Sequence, residues 1–222
     1  MHQSALLHGK LFFDTYVRPG MRIMDLGSQD VNGSLRSVAP PSSDYVGVDF
    51  AEGRGVDVVI SDPYKLPFDD GEFDVCVSSS CYEHSEFFWL SFLEALRIVK
   101  AGGLLYLNVP SNGPFHRYPV DCWRFYPDAG IALERWGAHN GLEVELLESF
   151  VGNRQTGVWN DFVAVFSKGG NHPSRMQDRY SEYTNGYSKG REGYIRYSES
   201  SQDQLHLKLW WRVRSWLGRP ID

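Results

Sequence analysis

The chain is poor in cysteine. Three occur in 222 residues, Cys76, Cys81 and Cys122, with no CxxC pair among them. Their odd number and spacing exclude a disulfide framework and a cysteine zinc site, and they fit a reducing compartment. No uncharged apolar run reaches the ~18–20 residues that span a bilayer. The N-terminal MHQSALLHGKLFF has no basic segment followed by a continuous apolar one, so a cytoplasmic location is expected. No GxxxxGK[ST] occurs, which excludes a P-loop, and no HExxH, so no metal site is expected from the seven histidines. An excess of positive charge is also missing: 28 acidic and 22 basic side chains give a formal charge of -6. Nothing in that balance attracts nucleic-acid phosphates, so no nucleic-acid partner is expected and a small-molecule acceptor is favoured.

What is present is a series of short apolar runs, each ending in an acid, glycine or proline. Ile23–Leu26 stops at Gly27, Tyr45–Val48 at Asp49, and Val56–Ile60 at Ser61-Asp62; Phe73–Val77 follows, then Gly103–Val109 closed by Pro110. Near-continuous apolar strands of this kind suit a parallel sheet covered on both faces. Helices are predicted over Gln3–Tyr16, Glu86–Val99 (stopped by Gly102-Gly103) and Asp128–His139 (stopped by Gly141). Two extended runs, Leu142–Phe150 and Asp161–Ser167, enclose turn material and predict an antiparallel hairpin at one side of the sheet. The expected fold is therefore α/β, a doubly wound, mostly parallel sheet with a C-terminal antiparallel hairpin. Seven residues separate Asp49 from Asp57, too few for a helical crossover, so a bare loop or a displaced strand end is expected there.

The main domain is assigned to residues 1–168. Residues 169–222 are read as a dependent extension. Its first part is rich in Gly, Ser and Tyr (Tyr180, Tyr183, Tyr187, Tyr194, Tyr197), and it ends in an amphipathic helix, LHLKLWWRVRSWLG. Leu209, Val213, Trp216 and Leu217 fall on one side of that helix and Lys208, Arg212 and Arg219 toward the other. It is expected to cover apolar surface on the domain or on a second subunit. Peripheral contact with a membrane interface is the competing reading.

The loop Asp25-Leu26-Gly27-Ser28-Gln29-Asp30 follows the first strand directly, where a glycine lets backbone approach a ligand. Here the chain resembles the class I S-adenosylmethionine-dependent methyltransferases, and its middle resembles their UbiE-like branch. Asp25 and Gly27 match the first two fixed positions of D/E-x-G-x-G-x-G, while Gln29 and Val31 stand where further glycines are usual. The stretch SDPYKLPFDDGEFDVCVSSSCYEHSEFFWLSFLEALRIVKAGGLLYLNVP resembles the family's GDAxxLPFxDxxFDxVxxxxxLEH...ExxRVLKPGGxLxxxxP. The resemblance covers about residues 20–110 and, more loosely, 120–167. It implies the Rossmann-like class I methyltransferase fold, methyl transfer, and S-adenosyl-L-methionine as cofactor.

Carried over residue by residue, it implies cofactor contacts at Asp25, Gly27, Ser28, Asp49, Phe50, Asp62, Pro63 and Ser79. Asp49 would take the ribose hydroxyls, since a carboxylate can accept from both hydroxyls of a diol. Phe50 would lie against the adenine, and Asp62 would receive its amino group. A nicotinamide-dependent oxidoreductase is the nearest rival. Its G-x-G-x-x-G turn is broken at Gln29, a loss that matters less for a cofactor without a phosphate.

Strand C-termini place candidate bases at His84, after the fourth strand, and at His116 and Asp121, after the fifth. The loop NVPSNGPFHRYPVDCWRFYPDAG crowds Asn112, Arg117, Tyr118, Arg124 and Tyr126 together with Trp123 and Phe125. Aromatic faces beside hydroxyl-binding groups suit a polar cyclic acceptor, so a sugar or glycan intermediate of polysaccharide biosynthesis is favoured. Small-metabolite, quinone or protein methylation remains open, as does a non-catalytic scaffold that binds the cofactor.

Overall fold

The computed structural model describes residues 2–152, 157–170, 172, 176, 184–185, 188–189, 195–196, 209, 212–213 and 216–217. Its central sheet has the order β3-β2-β1-β4-β5-β7-β6-β8. The strands are β1 (Arg22–Leu26), β2 (Asp44–Asp49), β3 (Val58–Val59), β4 (Phe73–Ser79), β5 (Val99–Pro110), β6 (Glu145–Gly152), β7 (Asp161–Ser167) and β8 (Thr184–Asn185). β3, β2, β1, β4 and β5 run parallel. β7 pairs antiparallel with β5 and β6, as the expected hairpin requires. β8 adds to the outer edge of β6, so the extension after residue 168 contributes to the same sheet. A small second ladder joins β9 (Ser188–Lys189) to β10 (Ile195–Arg196).

Strand alternation sorts the core into two layers. Met24 and Leu26 of β1, Cys76 of β4, Leu105 and Leu107 of β5, and Phe162, Ala164 and Phe166 of β7 face one side. There they meet Phe92, Ala95 and Leu96 of α2 (Phe88–Ile98) and Leu133 of α3 (Asp128–His139). Ile23, Val75, Val77, Leu104, Tyr106, Val163 and Val165 point the other way, onto Leu11, Phe12, Phe13 and Tyr16 of α1 (Gln3–Tyr16). The period-2 alternation of side chains makes adjacent strand residues serve opposite layers. Each fully buried large apolar side chain contributes about 1.5–3 kcal/mol.

Several expected boundaries shift, each for a local reason. The third strand shrinks from Val56–Ile60 to two residues. Asp57 is diverted, its backbone donating to Gly47 O and its carboxylate accepting from Gly47 N at 2.7 Å and pairing with Arg36. The stretch between Asp49 and β3 is a bare loop. The β1–β2 crossover carries only a 3-10 turn, Leu35–Val38, in place of a full helix.

The helix α2 ends at Ile98, and Gly102-Gly103 does not stop it. Val99 is already extended (φ -79°, ψ 137°) and enters β5 directly. The amine of Lys168, one residue past β7, donates to the carbonyls of Arg97 (3.1 Å) and Val99 (2.8 Å). A cation on unpaired carbonyls at a helix end is favourable for both charge and hydrogen bonding. Gly102 (φ +80°) instead bends β5 where its N–H meets Lys168 O. β6 begins at Glu145 rather than Leu142, because the turn at Gly141 (φ +79°) consumes the first residues.

The five tyrosines of the extension, and most of the C-terminal helix, lie outside the described residues. Leu209, Val213, Trp216 and Leu217 are described and are exposed on the single chain, so these four do not pack on the domain, one of the two expected partners beside a second subunit. Among the described residues no helix is long and apolar enough to cross a membrane.

Candidate active site

A cleft of about 530 Å³ opens at the C-terminal ends of β1, β2 and β4. This is where open α/β sheets place ligands. Gly27 ends β1 with φ +83°, and a Cβ there would sit 2.5 Å from the Cβ of Cys81. Only glycine fits both constraints. The N–H groups of Gly27 and Ser28 both reach Val48 O, at 2.9 and 3.1 Å, which folds the loop over β2.

Asp49, at the end of β2, is buried on the wall of the cleft. One carboxylate oxygen accepts from Gln29 N at 3.0 Å and the other from its neighbour Phe50 N at 2.8 Å. Each oxygen keeps lone-pair capacity for a diol. Phe50 is 59% exposed and lines the same wall. The hydroxyls of Ser28 and Ser79 are buried without a partner and also line the cleft. Asp25 sits deeper, accepting from Tyr45 OH at 2.8 Å, and burial pushes its carboxyl up to about 7.

Gln29, which stands where the motif usually has glycine, acts as a latch. Its amide donates to Glu52 O at 3.2 Å and its carbonyl accepts from Tyr118 OH at 3.1 Å. Loop 111–127 is thereby tied across the cleft to the loop after β1. Gly53 leaves room for the latch, since a Cβ there would lie 2.6 Å from the Gln29 amide nitrogen.

Glu83, His84 and His116 line the same cleft. Glu83 is 1% exposed, and burial pushes its carboxyl up to about 8. Its Oε1 lies 3.7 Å from His84 Nε2, and its Oε2 has no partner. Burial lowers the basicity of His84, whose Nδ1 faces Val120 O. The rings of His84 and His116 meet edge to face at 4.9 Å.

Asp121 is not placed as a base. Its carboxylate receives both terminal nitrogens of Arg124, at 2.6 and 2.8 Å, and His116 N at 2.7 Å. These donors, Arg124 first, hold it down at about 2. It lies behind the cleft lining and positions His116 instead. Folded, Asp121 is ionised above about pH 2; unfolded, a free aspartate ionises near pH 4. The depressed value stabilises the fold above pH 4, and the contribution is lost as pH falls through 2. Asp121→Asn should therefore cost about 2–3 kcal/mol at pH 7, the fall from near 4 to about 2 being worth about 1.4 kcal/mol per pKa unit. Urea unfolding at pH 7 and pH 3 checks this, with a smaller gap expected at pH 3.

Asp62 lies in a turn outside the lining residues. It is exposed, and its carboxylate accepts from Tyr64 N at 2.8 Å, whereas Pro63 lines the cleft. In loop 111–127, Phe125 is buried in the core beside Phe88, and Trp123 packs on Phe88 and Trp89. Tyr118 and Trp159 line the cleft, as do Phe50 and Tyr64. Trp159 stacks on His2 at 5.2 Å and meets His116 at 5.0 Å.

Glu83, Trp159 and Asp161 line the cleft although the sequence reading gave them no role. Asp161 opens β7, is buried, and has an unpartnered Oδ2 at 3.6 Å from Nδ1 of the fully buried His8. For Glu83, the EH pair was itself a signal. Trp159 and Asp161 carry none in the sequence, because they reach the cleft only through the pairing of β7 with β5.

Comparison with known proteins agrees with this geometry. A family described as "Methyltransferase domain" matches residues 32–107. A ubiquinone/menaquinone biosynthesis C-methyltransferase of Geobacter sulfurreducens is 30% identical over 150 residues, covering 58% of this chain. The chain spans 59% of that curated relative's length. Among solved structures, the 1,6-didemethyltoxoflavin-N1-methyltransferase of Burkholderia thailandensis, bound to 1,6-didemethyltoxoflavin and S-adenosylhomocysteine, superimposes with a TM-score of 0.58. That match is 12% identical and covers 74% of this chain and 78% of the other. A chain from the Haloferax volcanii complex of the Trm112 methyltransferase activator with a methyltransferase gives 0.56 at 16% identity, covering 77% and 91%. The fold is the Rossmann-like α/β fold of class I methyltransferases.

Proposed function

We propose that the chain transfers a methyl group from S-adenosyl-L-methionine to a polar small-molecule acceptor, and that the acceptor is a sugar or glycan intermediate. One observation carries the reading: the ends of β1, β2 and β4 bring Gly27, Asp49 and Ser79 to the same cleft that Glu83, His84 and His116 line. The cofactor's requirements fit the residues present. Gly27 leaves space for close backbone approach, Asp49 offers a carboxylate to a diol, and the Ser28 and Ser79 hydroxyls are unpaired. Phe50 offers an apolar face.

When bound, the cofactor supplies a methyl group activated on a sulfonium sulfur, and the protein supplies orientation and proton handling. Loop 111–127, latched by Tyr118 to Gln29, roofs the cleft and limits water. Tyr118 and Trp159 offer faces for the C–H surface of a ring, and Arg117 and His116 lie beside them for hydroxyls. His116, positioned by Asp121, is the group that takes the acceptor's proton. The match to a quinone-pathway enzyme favours a second reading, carbon methylation of a quinone precursor. The cluster of polar groups in the cleft supports the hydroxylated acceptor.

Formation of S-adenosylhomocysteine from S-adenosyl-L-methionine with panels of sugars, nucleotide sugars and quinone precursors tests the proposal. Turnover is expected with hydroxylated sugars; turnover only with quinone precursors would select the second reading. Asp49→Ala should weaken S-adenosylhomocysteine binding by about 1–3 kcal/mol, the range for hydrogen bonds to a charged group. Titration calorimetry of the variant measures it.

A further inference from the structure

We propose that Glu83, His84 and His116 bind a divalent transition-metal cation in the cleft. One ligand atom from each lies within 4.8 Å of the others. Glu83 Oε1 and His84 Nε2 are 3.7 Å apart, and the two imidazoles stand nearly perpendicular, at 84°. All three side chains line the cleft.

The groups behind the ligands set them for this task. His84 turns Nδ1 to the Val120 carbonyl, which places the proton there and leaves the Nε2 lone pair toward Glu83. His116 turns Nδ1 toward Asp121 Oδ2 and Arg124 Nη2, each 3.4 Å away, and these two side chains are paired with one another. A carbonyl behind one imidazole and a carboxylate behind the other is the usual support of metal-bound histidines. Glu83 supplies an independent observation. Its Oε2 is buried and has no hydrogen-bond donor, and the residue lines the cleft. A buried carboxylate oxygen left unpaired is costly, and a cation satisfies it.

The ligand set defines the cation. Two imidazole nitrogens and one carboxylate oxygen suit zinc, manganese, iron, cobalt or nickel, whereas magnesium and calcium prefer oxygen alone. Three protein ligands leave coordination positions open toward the cleft, as in sites where a metal holds a substrate. An acceptor hydroxyl would occupy one of them, in which case His116 acts as a ligand and the bound cation, in place of direct proton transfer to His116, activates the hydroxyl. That role rests on the proposed methyl transfer; the site itself does not.

The test is a titration of the metal-free full chain with Co²⁺, followed by visible d–d absorption, with S-adenosylhomocysteine binding measured on the same samples. One equivalent of Co²⁺ is expected to bind and to be displaced by Zn²⁺. Glu83→Gln and His116→Ala should each weaken Co²⁺ binding at least tenfold while leaving S-adenosylhomocysteine affinity within twofold. His116 is partly exposed, so its variant is expected to fold even if Glu83→Gln does not. No Co²⁺ spectrum from the wild-type chain, or binding unchanged in His116→Ala, would overturn the proposal. Co²⁺ binding without S-adenosylhomocysteine binding would retain the metal site and reject the cofactor reading.

Discussion

His116→Ala should lower turnover about a hundredfold, near the lower end of what a positioned acid–base group contributes, while S-adenosylhomocysteine affinity stays unchanged. In the proposed reaction His116 serves the acceptor together with Glu83 and His84, and Asp49 serves the cofactor beside Gly27. The ring is 38% exposed and packs edge to face against Trp159 and His84. Truncating it removes the group that meets the acceptor without uncovering a core. The same loss of turnover is expected whether His116 takes a proton directly or acts through a bound cation. Single-turnover kinetics with saturating cofactor, run beside calorimetry, check the split. Equal loss of cofactor affinity in His116→Ala and Asp49→Ala would show that the two roles are wrongly divided.

Gly27→Val should destabilise the chain by about 2–5 kcal/mol and abolish measurable S-adenosylhomocysteine binding. Two costs add. A side chain in the left-handed region costs roughly 1–2 kcal/mol, and forced overpacking costs about 1–3 kcal/mol. Both apply, because φ is +83° and the new Cβ would lie 2.5 Å from Cys81 Cβ and 2.7 Å from its sulfur. Cys81 cannot withdraw easily, since Tyr82 and Glu83 behind it are buried and the Glu83 carbonyl accepts from Cys122 N and Trp123 N. Chemical denaturation gives the stability change, and calorimetry the binding. A variant with unchanged stability would mean that this loop does not hold the conformation described.

Much of the fold was legible because a buried parallel strand writes itself as an apolar run ending in a turn residue. β1, β2 and β4 were legible for that reason, and so were the positions of Gly27, Asp49 and Ser79. α1, α3 and β7 coincide with their expected bounds, because each is closed by a local signal or by its alternation. The end of α2 was not legible. Its carbonyls are satisfied by Lys168, about 70 residues away in sequence, so no nearby glycine is needed.

The acceptor site was half legible. The histidines stood out as residue types, but 31 residues separate His84 from His116. They meet because the Glu83 carbonyl accepts from both Cys122 N and Trp123 N, which folds loop 111–127 back. Trp123 and Phe125 read as ring-binding aromatics but serve as anchors against Phe88. Tyr118 and Trp159 face the cleft in their place. Asp62 matched a motif position, and in the structure one of its carboxylate oxygens accepts from Tyr64 N in an exposed turn.

Calorimetric titration of the full chain with S-adenosylhomocysteine, NAD and ATP tests the central claim most directly. The arrangement of Gly27, Asp49 and Phe50 around an unpaired pair of serine hydroxyls predicts one S-adenosylhomocysteine bound per chain and no measurable heat from the other two. Binding of NAD with none of S-adenosylhomocysteine would contradict it.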